Sequence, residues 1–391
     1  MTNIAISTIA VSNSYNYGNK LQAYALQSFL KAQEYGVQII RYETYYGQNN
    51  CGMCTSGFVG KIENVMSKLG QQSLCQSLAD AYRIGKRTVY KATITRKTEE
   101  RKRKFDAYAK RNILFTEDVY YHDSEFCKLR NEFDLFITGS DQVWNPYYEG
   151  TNAFYYLNFA PKGKRIAYAP SFGYERIPEH MEKQYAQWLS QIDALSAREE
   201  SGRQLLKEQF GLDAKLVCDP VFLIDRQEWS SIAQPVIGKS KYFAVYILGK
   251  KSNEIKKLIR KFEKTYQMKA VDIYTRDDPK SIFAGPEEFL GIIENAEFVL
   301  TDSFHGTCFS LIFNKPMAIT KRNKEKTVNT RMESLLKKVG IGNREAEWIL
   351  EDKSRMYLDF EQPMKKLNAF VSDSKEYLLS SIERGLSSEA E

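Results

Sequence analysis

Short apolar runs recur along the chain, each ending in a polar turn and most followed by a stretch in which apolar residues return every third or fourth position. Continuous runs of that length are what strands buried on both faces show, and the three-to-four spacing marks one face of a helix. In the first half the runs are Ile4 to Val11, Val37 to Tyr42, Asp134 to Thr138, Arg165 to Ala169, Ala194 to Ala197 and Lys215 to Cys218. Helices are predicted from Leu21, Ala25 and Phe29, over Pro178 to Ile192 and over Gly202 to Phe210. The second half repeats the rhythm, with strands at Tyr242 to Leu248, Ala270 to Tyr274, Phe298 to Leu300 and Pro316 to Thr320. Helices at Asn253 to Tyr266, Pro286 to Asn295, Thr307 to Phe313 and Thr330 to Val339 alternate with them.

Strand, turn, helix, strand is the unit of doubly wound sheets, so the pattern predicts an α/β protein with two Rossmann-like domains. The domains are residues 1–230 and 231–345, changing between about Phe222 and Ser240, where Pro235 and Gly238 break the periodicity. Residues 346–391 read as a helical tail that packs back on the first domain. From about 45 to 123 the alternation lapses into a polar loop and then basic helical sequence, read as an insertion in the first domain. No internal repeat is visible.

Length and composition agree with two cores: 391 residues, 43% hydrophobic and 27% charged. No apolar run approaches the about 20 residues that span a bilayer, and Met1 to Val11 carries no basic leader, so a cytoplasmic protein is expected. Six cysteines spread over such a chain do not suggest a disulfide framework. Cys51 and Cys54 form one C-x-x-C whose nearest further ligands, Cys75, His122 and Cys127, match no familiar zinc spacing, so a reduced loop is expected and no metal. The net charge of +7 is uneven. Residues 83–111 hold twelve Lys or Arg against Glu99, Glu100 and Asp106, twelve less three, which leaves the rest of the chain near neutral. Such a segment predicts an exposed basic helix, either merely solvated or docking on a membrane surface or phosphate-bearing acceptor. Nucleic acid is not expected, because no aromatic-interleaved RNA motif or helix-turn-helix signal accompanies it.

The chemistry gathers at predicted strand ends, where open parallel sheets bind ligands. One of only three histidines, His305, follows the run Phe298 to Leu300 in E-F-V-L-T-D-S-F-H-G-T. Gly306 is read there as the bend, and the N–H groups of the next helix, near Ser303 and Thr307, as a place for an anion. The first domain supplies Asn16, Gly18 and Asn19 after its first strand. Gly139, Ser140, Asp141, Gln142 and Trp144 follow a later one, and Arg198, Glu199 and Asp219 stand at two more. Cations, hydroxyls and carboxylates facing one imidazole across a cleft suit an anionic small molecule that reacts with a polyol without a metal. The first turn lacks G-x-G-x-x-G, so it carries no dinucleotide fingerprint.

Five motifs in order, N-Y-G-N-x-L-Q-A-Y-A-L, F-I-T-G-S-D-Q-V-W-N, S-A-R-E-x-S, C-D-P-V-F-L and T-D-S-F-H-G-T, resemble the polysaccharide pyruvyl transferase family over about residues 3 to 340. The resemblance implies a GT-B-like pair of domains facing across a cleft. It also implies phosphoenolpyruvate as donor, with no other cofactor, and a sugar acceptor, lipid-linked at the inner membrane face in one version. The product is a pyruvate ketal in surface polysaccharide assembly. The family's functional arginine and histidine fall on Arg198 and His305. Glu199 stands where many relatives carry aspartate, and Lys321, Arg322 and Arg331 compete for a downstream basic role. Arg198 would clamp phosphate or carboxylate, His305 would move protons or hold phosphate, and Asp141 or Glu199 would be the base. A GT-B glycosyltransferase using a nucleotide-sugar and an inactive carbohydrate-binding relative are the competing readings.

Overall fold

The computed structural model describes residues 2–9, 15–43, 74–148, 152–238, 240–249, 251–275, 278–321 and 326–388; for 74–87, 123–124 and 326–330 only the backbone is described. Cys51 and Cys54 lie outside the described residues.

The first domain runs β1 (Asn3–Ser7), α1 (Tyr17–Ala32), β2 (Gly36–Tyr42), α2 (Leu74–Asn112), β3 (Phe115–Tyr120), β4 (Leu135–Thr138) and β5 (Arg165–Ala167). It continues through α3 (Glu179–Leu189), β6 (Ser196–Ala197), α4 (Glu200–Phe210) and β7 (Lys215–Leu216). Its main sheet has the order β3-β2-β1-β4-β5, with every pair parallel. The short pair β6 and β7 continues beyond β5 through a bridge between Ile166 and Ala194. α1 begins at Tyr17, ahead of the start that its apolar spacing predicts, because the Asn16 side chain caps it by accepting from Gly18 N. Phe115–Tyr120, assigned by the sequence to the insertion, is instead the edge strand of the sheet; only its Thr116 and Tyr120 are buried, too few for an apolar run.

The linker helix α5 (Arg226–Ile232) leads to β8 (Tyr242–Tyr246), α6 (Asn253–Tyr266), β9 (Lys269–Asp272), α7 (Pro286–Glu294), β10 (Val299–Thr301), α8 (Phe304–Ile312) and β11 (Met317–Ile319). Then come α9 (Lys326–Val339), α10 (Ala346–Glu351) and α11 (Glu361–Ser387). The second sheet has the order β11-β10-β8-β9, again all parallel. This is an α/β protein of two Rossmann-like domains facing across a cleft. In each sheet the strand order reverses once, beside β1 and beside β8, and ligands of such sheets bind outside the carboxyl ends of the strands at that point.

Aromatic rings close the base of the cleft. Tyr17 stacks on Phe289 with centroids 4.3 Å apart, and Trp229 lies between Tyr24 at 5.6 Å and Phe309 at 5.0 Å. Helix α11 returns across the first domain, where Ser374 Oγ accepts from Cys218 N at 2.9 Å and Lys164 Nζ donates to Gly385 O at 2.7 Å.

The basic segment is exposed along one face, at Lys91, Arg96, Arg103 and Lys110, but its other face is packed. Phe105 and Tyr108 are fully buried, and Arg101 lies beneath the surface, 3.8 Å from the ring of Tyr274, with Nη2 donating to Tyr15 O at 2.6 Å. Lys104 pairs with Glu288 at 2.9 Å and Arg111 with Glu287 at 2.7 Å. Lys104 and Arg111 therefore tie α2 to the second domain, because carboxylates of α7 meet them there. Among the described residues no helix is long and apolar enough to cross a membrane.

Candidate active site

The second domain presents His305 through a turn whose polar residues are spent on its own construction. Thr301 Oγ1 donates to Tyr246 O at 2.7 Å and accepts from Ser303 N at 3.0 Å, while Asp302 Oδ1 accepts from Leu248 N at 2.8 Å. Ser303 caps α8, its Oγ accepting from Gly306 N at 3.3 Å and its carbonyl accepting from Thr307 Oγ1 at 3.2 Å. His305 then emerges in the first turn of α8, 8% exposed. Gly306 is not the bend: it lies inside the helix, and a Cβ there would come 2.4 Å from Thr301 Oγ1, so its role is close packing on β10.

The first domain meets the imidazole from the other side. A Cβ on Gly18 would lie 2.1 Å from His305 Nδ1, so the ring rests against the bare face of that glycine. Beyond β4, Asp141 adopts φ 79, a left-handed conformation that an aspartate tolerates at some cost in strain. Asn19 Nδ2 donates to its Oδ2 at 2.8 Å and Gln142 N to its Oδ1 at 2.9 Å.

Behind them lies a buried charge cluster. Arg198, at the end of β6, gives Nη1 to Asp219 Oδ2 at 2.7 Å and to Ser140 Oγ at 3.3 Å. Its Nη2 is 3.7 Å from Asp141, its Nε 3.8 Å from Glu199, and the guanidinium covers the Phe304 ring at 4.6 Å. Asp219 Oδ1 accepts from Val221 N at 3.1 Å. His305 Nε2, turned inward and without a direct hydrogen bond, stands 3.6 Å from Asp219 Oδ2. Burial alone would raise the Asp219 carboxyl, but His305, the Arg198 guanidinium and the Val221 N–H outweigh it and hold the group well below the usual carboxylate range. Burial works against the Arg198 cation too, yet Asp219, Asp141 and Glu199 together keep its pKa above the ordinary value.

A cavity of about 340 Å³ opens where the two switch points face each other. It is lined by Asn16, Asn19, Asp141, Gln142, Ser303, His305 and Arg331, with Ile9, Tyr148, Leu248 and Phe304. Arg331 reaches it from α9, and the Gln142 carboxamide, in the orientation its neighbours dictate, accepts from both Nη atoms at 2.8 and 2.9 Å.

Several residues read from the sequence are therefore not on the cavity wall. Arg198 does not face an anion across the cleft; its side chain is 1% exposed, and with His305 it shares Asp219 instead. Glu199 is buried and accepts from Ser171 Oγ at 2.7 Å. Trp144 is a core residue, its Nε1 donating to Tyr155 O at 3.0 Å. Gly139, Ser140, Gly306 and Thr307 are buried supports. Lys321 is exposed and paired with Glu345 at 2.6 Å, beside a separate cavity, which leaves Arg331 as the cation at the site; Arg322 lies outside the described residues. Asp219 is the residue whose importance the sequence understated. The sequence places it only among the groups at strand ends; it also caps the turn that follows, accepting from Val221 N, and nothing local announces that Arg198 and His305 converge on it.

The model of one protein family, polysaccharide pyruvyl transferase, matches residues 16–320. No curated relative shows significant similarity to the chain. Among solved structures, the UDP-GlcNAc 2-epimerase from Neisseria meningitidis is 11% identical, with 98% of this chain and 100% of that one covered and a TM-score of 0.48. The Streptomyces sp. SF2575 glycosyltransferase SsfS6 is 14% identical, with 96% of each chain covered and a TM-score of 0.39. Likenesses this distant bear on neither substrate nor reaction.

Proposed function

This chain belongs to the polysaccharide pyruvyl transferase family, and from that premise we propose that it transfers the three-carbon unit of phosphoenolpyruvate to two hydroxyls of a sugar, forming a ketal. The observation that carries the reading is the pairing of His305 and Asp219 across the domain boundary, with Arg331 and Asp141 in the same cavity. The Asp219 carboxylate, 3.6 Å from Nε2, orients the imidazole ring. With Nε2 committed toward Asp219, Nδ1 is the nitrogen left to move a proton.

In the proposed sequence His305 donates a proton to the methylene carbon, making it a methyl group and leaving C2 electron-poor. One sugar hydroxyl bonds to C2 and gives its proton to Asp141. The bond from C2 to the phosphate oxygen then breaks, and hydrogen phosphate departs with the proton that Asp141 held. The second hydroxyl closes the ketal and returns its proton to His305. Arg331, oriented by Gln142, binds an anionic group of the donor, and Arg198 acts beneath by keeping Asp219 ionised and in place. We place the reaction on the cytoplasmic side, with a lipid-linked acceptor and with Lys91 and Arg96, on the exposed part of α2, meeting the inner membrane surface. Liposome binding unchanged by Lys91→Glu with Arg96→Glu would remove that contact.

Incubation with phosphoenolpyruvate and candidate sugars, watching phosphate, tests the reaction. Acceptor-dependent release that falls about a hundredfold or more in His305→Gln is expected. Consumption of a nucleotide-sugar with phosphoenolpyruvate untouched would overturn it.

A further inference from the structure

The loop that carries Asp141 does not stop at the cavity. Asn145 Oδ1 accepts from Tyr147 N at 2.9 Å, and the chain then runs outward past Tyr148, which lines the cavity mouth. Tyr147 is 62% exposed and Tyr148 40%. Of the large hydrophobic side chains exposed among the described residues, these two stand together at the cleft.

A second segment meets them. After β5 the chain turns at Gly173, φ 67, where a Cβ would come 3.1 Å from the Gln142 carboxamide. The next residue, Tyr174, places its ring 4.7 Å from that of Tyr147 at an interplanar angle of 54°. Two loops, both braced on Gln142, thus present a pair of rings, Tyr147 exposed and Tyr174 half-buried, next to Tyr148 at the cavity mouth. A contiguous exposed aromatic surface beside a site marks a place where something apolar is covered. A pyranose has an apolar C–H face and a polar rim, so a tyrosine ring buries the former and leaves the hydroxyls in water. Tyrosine also loses little conformational entropy in doing so, having two χ angles.

We propose that Tyr147 and Tyr174 form a stacking subsite for a sugar ring of the acceptor next to the one that reacts. This rests on the reading of the cavity as the place of the reacting sugar.

The probes are cellobiose, lactose and N,N′-diacetylchitobiose, each against the methyl β-glycoside of its non-reducing sugar, with affinities taken from NMR titration of the full chain. At least one disaccharide should bind about tenfold more tightly than its methyl glycoside, the ratio that roughly 55 Å² of newly covered apolar surface yields. Tyr147→Ala and Tyr174→Ala should each erase that gain while leaving the methyl glycoside and phosphoenolpyruvate affinities unchanged, and Tyr147→Phe should keep it. Absence of any gain in the wild type, or a gain that survives Tyr147→Ala, overturns the subsite. Self-association that Tyr147→Ala abolishes, with sugar binding unaffected, assigns the rings to a protein contact and also overturns it. Phosphoenolpyruvate affinity is read separately. Loss of the donor reading with the disaccharide gain intact would strike the proposed reaction and spare the subsite, and the converse would spare the reaction.

Discussion

Gly18→Ala places one methyl group between the two domains at the proposed proton carrier. The new Cβ would lie 2.1 Å from His305 Nδ1 and 2.3 Å from Cε1, whereas ordinary contact begins near 3.4 Å. The imidazole must therefore retreat by more than 1 Å or turn away, and the methyl covers the nitrogen that the mechanism leaves for proton transfer. Gly18 lies in the first turn of α1 and not in the left-handed region, so alanine is no burden there. Its helix preference offers about 0.5–1 kcal/mol that offsets part of the ring's displacement. Stability should change by no more than about 1–2 kcal/mol, while turnover falls by about a hundredfold, the usual consequence of misplacing a reacting group by an ångström. The assay is phosphate release alongside a melting curve. A third measurement follows the imidazole resonances, which are easily assigned because the chain has three histidines. A folded Gly18→Ala protein with wild-type turnover and an unmoved His305 signal would refute the contact and the role of Nδ1 together.

Removing Arg198 should harm folding first. Arg198→Met leaves Asp219, Asp141 and Glu199 without their shared cation, a loss of about 3–5 kcal/mol in urea unfolding; a loss under 1 kcal/mol would show the cluster to be unimportant. Asp219→Asn should flatten the acid limb of the stability profile. A carboxyl held below its ordinary value contributes fully above about pH 4, and its contribution is lost as pH falls toward the depressed native value, so an unchanged acid limb would contradict the assignment. Lys20 predicts a slope of the same sign at the alkaline end. Burial pushes it from 10.5 down to about 8, so between those values the unfolded chain binds more protons and stability rises with pH. Lys20→Met should remove that rise, and denaturant midpoints at pH 7.5 and 9.5 that shift equally in both proteins would count against the burial.

How the strands alternate with helices was legible in the sequence because each signal is local. An apolar run such as Val299 to Leu300 states its own burial on both faces, and the polar residues that end it state where a parallel sheet opens. That is why Asn16, Asn19, Asp141, Gln142, Ser303 and His305 can be gathered from the sequence. Boundaries were less legible. β3 was hidden because an edge strand carries few buried residues, and α8 begins earlier than expected because a capped turn contains no apolar period. What only the tertiary structure decided is which of these side chains reach the cavity. Arg198 was singled out by resemblance as the cation of the site, and Lys321 and Arg331 were left competing, but a string of letters does not give the depth of any of them. Their depth depends on the packing of α8, α9 and the end of β6, set by contacts such as Arg198 on Phe304 and Arg331 on Gln142, between residues more than a hundred positions apart. The same holds for Asp219, whose charge matters only because one domain brings Arg198 and the other His305 to it, and for Gly18, whose missing side chain is the space the imidazole occupies.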